Sequence, residues 1–297
     1  MDKSLKPEEK GINGFLLVDK PEGITSRAAL NQTLNKLNTT KGGYEGTLDP
    51  FAGGLLIAGL GSACRFFRYF GSLRKRYRGV LQLGTETDTL DRDGRTVRET
   101  EIPELTGKDI ENIEKAFTGS LHQVPPAFSA LKKNGVRGYD LARRGSPVRF
   151  EMRDIHVYDF TVETSERGRI TFSCTVSRGT YIRSMARDIA AHIGAAGHLA
   201  GLRRLSIGDF SAEDAVFPEH ADVSDLIPAE TALYWMRDVS LESRHARSLI
   251  HGQTVPFDSE EGLCRVACGG IFLGVGECRQ GELRAQRLLP QTQPGDR

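Results

Sequence analysis

The sequence predicts an α+β protein built on a mixed or antiparallel sheet, with a small β-rich module at its C-terminal end. Three observations lead there. Strand-like runs are interspersed with helices but never settle into regular βαβ alternation. Long period-2 stretches stand beside helices with period 3.6. Beyond about residue 235, short strand-like runs are punctuated by Gly269-Gly270, Gly276 and Gly281. At 297 residues the chain exceeds one ordinary core. A division into 1–235 and 236–297 is expected.

Taken in order, Phe15-Leu16-Leu17-Val18 reads as a buried strand ending at Asp19-Lys20-Pro21. Thr25 and Ser26 offer N-caps for a helix bearing Ala29, Leu30, Leu34 and Leu37 on one side. A glycine-rich loop from Lys41 to Gly46 leads into Thr47-Leu48-Asp49-Pro50, and a second buried strand runs from Leu55 to Leu60. Phe66, Phe67 and Phe70 suit a helix. Lys75 to Leu83 alternates, with Tyr77, Gly79, Leu81 and Leu83 on one face. The segment Asp88 to Gly94 is turn chemistry, read as a polar hairpin or mobile loop. In calcium-loop register it would place Thr89 and Thr100 where carboxylates are needed. A helix is expected over 109–117, a tight turn at Asn134-Gly135 and a short helix from Tyr139 to Arg144. Strands follow at Ile155 to Val162 and Ile170 to Val176. Thr180 is expected to cap a helix with Ile182, Met185, Ala186 and Ile189 as its stripe, and Gly194 to close it. In the C-terminal part, strands are expected at Cys264 to Ala267, Ile271 to Val275 and Glu282 to Leu289.

Bulk properties narrow the function. No apolar run approaches the roughly 20 residues of a membrane span, and the polar start lacks a secretory signal, so a soluble cytoplasmic protein is expected. Net charge is +1, but the charge is segregated. Arg65, Arg68, Arg74, Lys75, Arg76 and Arg78 stand together without an acidic residue, and Lys132, Lys133, Arg137, Arg143, Arg144 and Arg149 form a second basic stretch. Cations gathered on one face bind phosphates whatever the average charge. Five scattered cysteines argue against a disulfide framework. Cys264, Cys268 and Cys278 lack a finger-spaced histidine and read as small core residues rather than zinc ligands. No phosphate-binding G-x-x-x-x-G-K-[ST], metalloprotease H-E-x-x-H or hydrolase G-x-S-x-G motif is present. What remains is an aspartate in a glycine-rich turn, with arginines and tyrosines. A carboxylate serves as a covalent nucleophile when it stays ionised beside an electrophile. Taken alone, Asp49-Pro50 is a turn containing an acid.

Several segments together resemble the bacterial TruB family of tRNA pseudouridine synthases. They are Gly14 to Pro21 with Gly23-Ile24-Thr25-Ser26, Gly46-Thr47-Leu48-Asp49-Pro50 with Gly53-Gly54-Leu55-Leu56, and Lys75-Arg76-Tyr77. Gly84 with Thr87 to Asp91 and Gly94, Gln123-Val124-Pro125-Pro126 with Phe128-Ser129-Ala130, Gly179 to Arg183, and Leu202-Arg203-Arg204 complete the set, in order, over about residues 14–210. The resemblance implies a pseudouridine synthase fold with a central cleft, an RNA-clamping insertion at about 124–152 and a PUA-like C-terminal module. It implies isomerisation of the uridine conventionally numbered 55 in the TΨC arm of tRNA, without metal, cofactor, guide RNA or protein partner, by a monomer that also assists tRNA folding. Asp49 would be the nucleophile, Arg183 its partner, and Tyr77 the ring stacked on the flipped-out base. Tyr181 and Leu202 would line the base pocket, with Lys20 near it. One position departs from the family. Where the pattern is G-H-x-G, this chain has Gly43-Tyr44-Glu45-Gly46, and Tyr44 is expected to contact RNA as a ring that cannot become cationic. The competing readings are a non-catalytic tRNA-folding chaperone and a guide-dependent synthase of ribosomal RNA.

Overall fold

The computed structural model describes residues 11–290, apart from 130, 134, 139–149 and 167. Its strands in chain order are β1 (Gly14–Lys20), β2 (Gly42–Glu45), β3 (Gly53–Leu60), β4 (Lys75–Leu83), β5 (Thr85–Thr87), β6 (Thr96–Glu99), β7 (Gly119–Gln123), β8 (Lys132–Lys133), β9 (Val136–Arg137), β10 (Arg153–Glu166), β11 (Arg169–Val176), β12 (Gly197–Ile207) and β13 (Phe210–Ser211). A second group comprises β14 (Arg237–Leu241), β15 (Val255–Pro256), β16 (Gly262–Cys268), β17 (Ile271–Arg279) and β18 (Glu282–Leu288). The helices used below are α1 (Ser26–Lys36), α2 (Phe67–Phe70), α3 (Gly107–Ala116), α4 (Ile182–His192) and α5 (Ser243–Ile250).

The large sheet runs β1-β3-β12-β4-β11-β10-β7, with β2 beside β3 and β13 beside β12. Its neighbours are antiparallel except β3 and β12, which run parallel through Arg203↔Gly53 and Arg204↔Gly54. The fold is therefore α+β with a mixed sheet, as the lack of βαβ alternation predicts. One helix layer packs α4 on β4 and β12 through Ile182, Met185, Ala186 and Ile189. Another region packs α1 on β1 and β3 through Ala29, Leu30 and Leu34.

The parallel contact is close because position 54 is glycine. A Cβ on Gly54, whose φ is +100°, would stand 2.3 Å from the Arg204 carbonyl oxygen and 2.7 Å from its nitrogen. Gly54→Ala is therefore expected to destabilise the fold by about 3 kcal/mol or more, from backbone strain and a contact with backbone that cannot move aside. Urea denaturation checks this, and an unchanged midpoint would mean the two strands have slack.

Several expectations change in detail. The glycine-rich segment at 42–45 is not a loop but β2, paired with β3 through Gly42↔Leu60 and Tyr44↔Ala58. Its glycines serve packing, since a Cβ at Gly42 would lie 2.7 Å from Leu34 Cδ2. Thr180 does not cap α4; its hydroxyl donates to the Ser177 carbonyl at 3.0 Å, and Tyr181 is the N-cap residue. The three phenylalanines at 66–70 sit on a 3-10 turn and the single-turn α2. The backbones of β8 and β9 pair across the expected tight turn, while Asn134 and the expected helix from Tyr139 to Arg144 lie outside the described residues.

The second sheet runs β14-β16-β17-β18-β15, with α5 packed on it. It shares apolar packing with the first: Phe272, Val275 and Leu289 are buried with Phe15, Phe66 and Phe70, and the Phe66 and Phe272 rings lie 5.8 Å apart. Cys264 and Cys278 are buried side by side, Sγ to Sγ 4.0 Å. Among the described residues no group of histidine, cysteine and carboxylate side chains is arranged to hold a metal ion. No described helix is long and apolar enough to cross a membrane.

Candidate active site

Asp49 lies in the turn that enters β3, at the sheet's parallel contact, and four side chains hold that turn by its backbone. The Ser26 hydroxyl, at the start of α1, donates to the Leu48 carbonyl at 3.0 Å and accepts from the Leu48 N–H at 2.9 Å. Arg204 donates to the Gly46 carbonyl at 2.8 Å, and Arg92 reaches the Phe51 carbonyl at 3.5 Å. Lys20 has no exposed surface, and its ammonium donates to the carbonyls of Pro21 (2.9 Å), Ile24 (2.6 Å) and Pro50 (3.3 Å). With its three donors used in this way, Lys20 supports the Asp49-Pro50 turn. Burial lowers its pKa to about 8, against the attraction of Asp49 and Glu22.

The Asp49 carboxylate, 35% exposed, faces Arg183 on α4. Arg183 Nε is 2.9 Å from Oδ2, and Nη2 donates to Oδ1 at 3.1 Å, a forked pairing of two planar groups. The same guanidinium is 3.3 Å from the Asp91 carboxylate and donates to the carbonyls of Thr89 and Phe128, each at 3.0 Å. One buried arginine thus joins two carboxylates and two loops. Burial raises the Asp49 pKa and Asp91 raises it further, while Arg183 and Lys20 lower it.

Asp91 is a participant that the sequence reading treated as turn chemistry. The segment is indeed the connection of the β5–β6 hairpin, but it folds inward rather than standing free. Thr87 Oγ1 donates to the Asp91 carbonyl and Thr89 Oγ1 to its carboxylate, each at 2.6 Å, and Leu90 takes a positive φ of 63° between them. The buried Leu90 in that conformation places Thr89 O and Asp91 together against Arg183. Gln123 was legible only as part of a motif, with no role assigned to it. Its side-chain amide accepts from the Tyr181 N–H at 2.8 Å and donates to the Tyr181 carbonyl at 3.0 Å, fixing the residue that starts α4 two positions before Arg183.

Tyr77, 8% exposed, belongs to the same apolar cluster as Leu48, Phe51, Ile182 and Leu202. β4 and β12 bring these together, Tyr77 opposite Arg204 and Leu202 opposite Gly79. Burial raises the pKa of the Tyr181 phenol, which keeps it a neutral hydroxyl. Tyr44 stands apart. It lies on β2, half-buried against the α1 packing, with the Arg27 guanidinium 5.3 Å from its ring centre, and it has no described contact with Asp49 or Arg183.

A turn held by its backbone, a carboxylate forked onto a buried arginine and an apolar wall with a tyrosine thus come together in one region. Solved structures share the architecture. The chain of "Crystal Structure of a Cbf5-Nop10-Gar1 Complex" matches with a TM-score of 0.72 at 21% identity, over 97% of this chain and 90% of that one. The chain of "Structure of H/ACA RNP bound to a substrate RNA containing 2'-deoxyuridine" matches with a TM-score of 0.66 at 20% identity, over 98% and 90%. The fold is that of the pseudouridine synthases.

At the sequence level the match is narrower. Residues 34–182 fit the family "TruB family pseudouridylate synthase (N terminal domain)", and residues 238–289 fit "Pseudouridine synthase II TruB, C-terminal". The tRNA pseudouridine synthase B of Azoarcus sp. (strain BH72) is 38% identical over 96% of this chain and 97% of its own length. That of Aquifex aeolicus is 36% identical over 94% of this chain and all of its own. The chain belongs to the TruB family of pseudouridylate synthases.

Proposed function

We propose that this enzyme isomerises a tRNA uridine to pseudouridine, acting on the TΨC-arm uridine conventionally numbered 55. The observation that carries the reading is the forked Asp49–Arg183 pair on a turn fixed at Gly46, Leu48 and Pro50. Asp49 attacks the flipped-out nucleotide, the N–C glycosidic bond breaks, the base turns within the pocket, and C5 bonds to the ribose as the bond to Asp49 is released. The C5 proton leaves and the freed ring nitrogen gains one, so atoms balance without a redox partner or ATP. Tyr77 stacks on the displaced base, with Leu202 and Tyr181 bounding its movement. Arg183 supplies the positive charge that keeps Asp49 ionised when RNA displaces water.

Residues 1–235 form the catalytic domain in this reading, with an RNA clamp at about 124–152, and 236–297 form a PUA-like RNA-binding module. The enzyme acts as a monomer in the cytoplasm, without guide RNA or partner protein. The relatives that support this stand-alone mode carry the name tRNA pseudouridine synthase B at 36–38% identity. The same grip on the arm assists tRNA folding, and Tyr44 adds a ring contact to RNA. The test is tritium release from C5-tritiated uridine in tRNA by the purified chain alone. Release should vanish when cytidine replaces the uridine at 55, and unchanged release from that tRNA would move the target elsewhere.

A further inference from the structure

Beside the Gly46 turn the protein keeps two cations out of water with no buried counter-ion among the described residues. Arg204 is 1% exposed and spends Nε on the Leu55 carbonyl and Nη2 on that of Gly46. Lys75 is 8% exposed, and its hydrogen-bond partner among the described residues is the Leu73 carbonyl, at 3.5 Å, the long limit for such a bond. Neither side chain has an ion pair among the described residues. Of the neighbouring charges, Glu45 attracts the Lys75 ammonium, whereas Arg204 and Arg178 repel it. Burying like charges together without a counter-ion is costly, and so is leaving ammonium donors unused.

The two cations are placed where a nucleotide would need them. β4 puts Lys75 on the same inward face as Tyr77, two residues and roughly 7 Å along the strand. That span is comparable with the reach from a base to its own phosphate. A Cβ on Gly46 would stand 3.2 Å from Arg204 Nη1 and 3.6 Å from Lys75 Cε, so both cations flank the turn that ends in Asp49.

We propose that Lys75, backed by Arg204 and flanked by Arg178, forms a phosphodiester-binding site that holds the RNA backbone beside the nucleotide entering the cleft. The proposal rests on the RNA-modifying reading above. A phosphodiester oxygen supplies the missing negative charge and the acceptors that the ammonium lacks. Burial holds the Lys75 pKa down at about 8, and an adjoining phosphate would raise it again.

The experiment measures binding of a TΨC stem-loop RNA by fluorescence anisotropy across a salt series, for wild type, Lys75→Gln and Lys75→Met. Both variants should bind about tenfold more weakly, and the slope of log affinity against log salt should shrink by roughly 0.7–0.9. The same RNA is then scanned with single uncharged methylphosphonate linkages. One linkage flanking the target uridine should weaken wild type about tenfold and leave the variants unaffected. Unchanged slopes, or the absence of any linkage that weakens wild type, would overturn the phosphate site and leave Lys75 a structural residue. Tritium release by wild type is followed in parallel. A failure there would overturn the catalytic reading, while the slopes and the linkage scan still decide the phosphate site on their own.

Discussion

Arg183→Met is expected to lower the rate of tritium release by about 10³-fold and to move the acid limb of the pH profile upward. The guanidinium is the main group opposing the effects of burial and Asp91 on Asp49. Removing it leaves two carboxylates facing each other in a partly desolvated site, with only Lys20 still favouring ionisation of Asp49. Breaking one side of such a pair costs about 3–5 kcal/mol, which is the source of the expected factor. The sign follows from the chemistry. In the proposed mechanism Asp49 attacks only as carboxylate, its pKa already lies above the ordinary range, and loss of Arg183 raises it further. Activity therefore appears at higher pH than in wild type. A kcat–pH profile with an unmoved acid limb would show that Arg183 does not govern the ionisation of Asp49.

Lys20→Met should lower activity by a different route. Methionine fills the space but leaves the Pro21, Ile24 and Pro50 carbonyls without their donor. The turn relaxes, and a displacement of Asp49 by about 1 Å lowers kcat by about 10²-fold with little change in KM. A stability measurement separates this support from catalysis. In wild type the ammonium has a folded pKa of about 8 against an ordinary value of 10.5. The unfolded chain therefore binds the extra proton between those values, and wild-type stability rises with pH across that window. Lys20→Met lacks this titrating group, so its stability should rise less steeply across the window, where Lys75 with a pKa of about 8 still contributes. Parallel stability curves would show that the buried ammonium does not titrate in this window.

Much of the fold was legible because period and burial agree. β1 and β3 are continuous apolar runs, β4 alternates, and α4 carries an apolar stripe with Gly194 beyond its end. β12 was not legible, although it lies at the middle of the sheet. It carries Gly201, Arg203 and the buried Arg204, and two register shifts break its alternation, so no period-2 pattern survives. β2 was hidden because glycines signal loops in sequence, whereas here they allow close packing against Leu34 and Phe67. In the site, Asp49, Tyr77 and Arg183 could be named from motifs, and the structure brings Asp49 and Arg183 into direct contact. Asp91 was concealed by looking like a turn. Only the inward fold of the hairpin and the positive φ of Leu90 turn it toward Arg183. Ser26 looked like a helix cap, and the hydrogen bonds it makes cross twenty-two residues to Leu48, which no local pattern reveals.

The central claim is that the Asp49 carboxylate attacks the nucleotide. It is tested most directly by incubating C5-tritiated uridine tRNA with wild type and with Asp49→Asn, which keeps the side chain's shape and removes its nucleophilic charge. Wild type should release tritium, and Asp49→Asn should fall by about 10⁴-fold or more while still binding the tRNA. Release by Asp49→Asn at a rate near that of wild type would contradict the account.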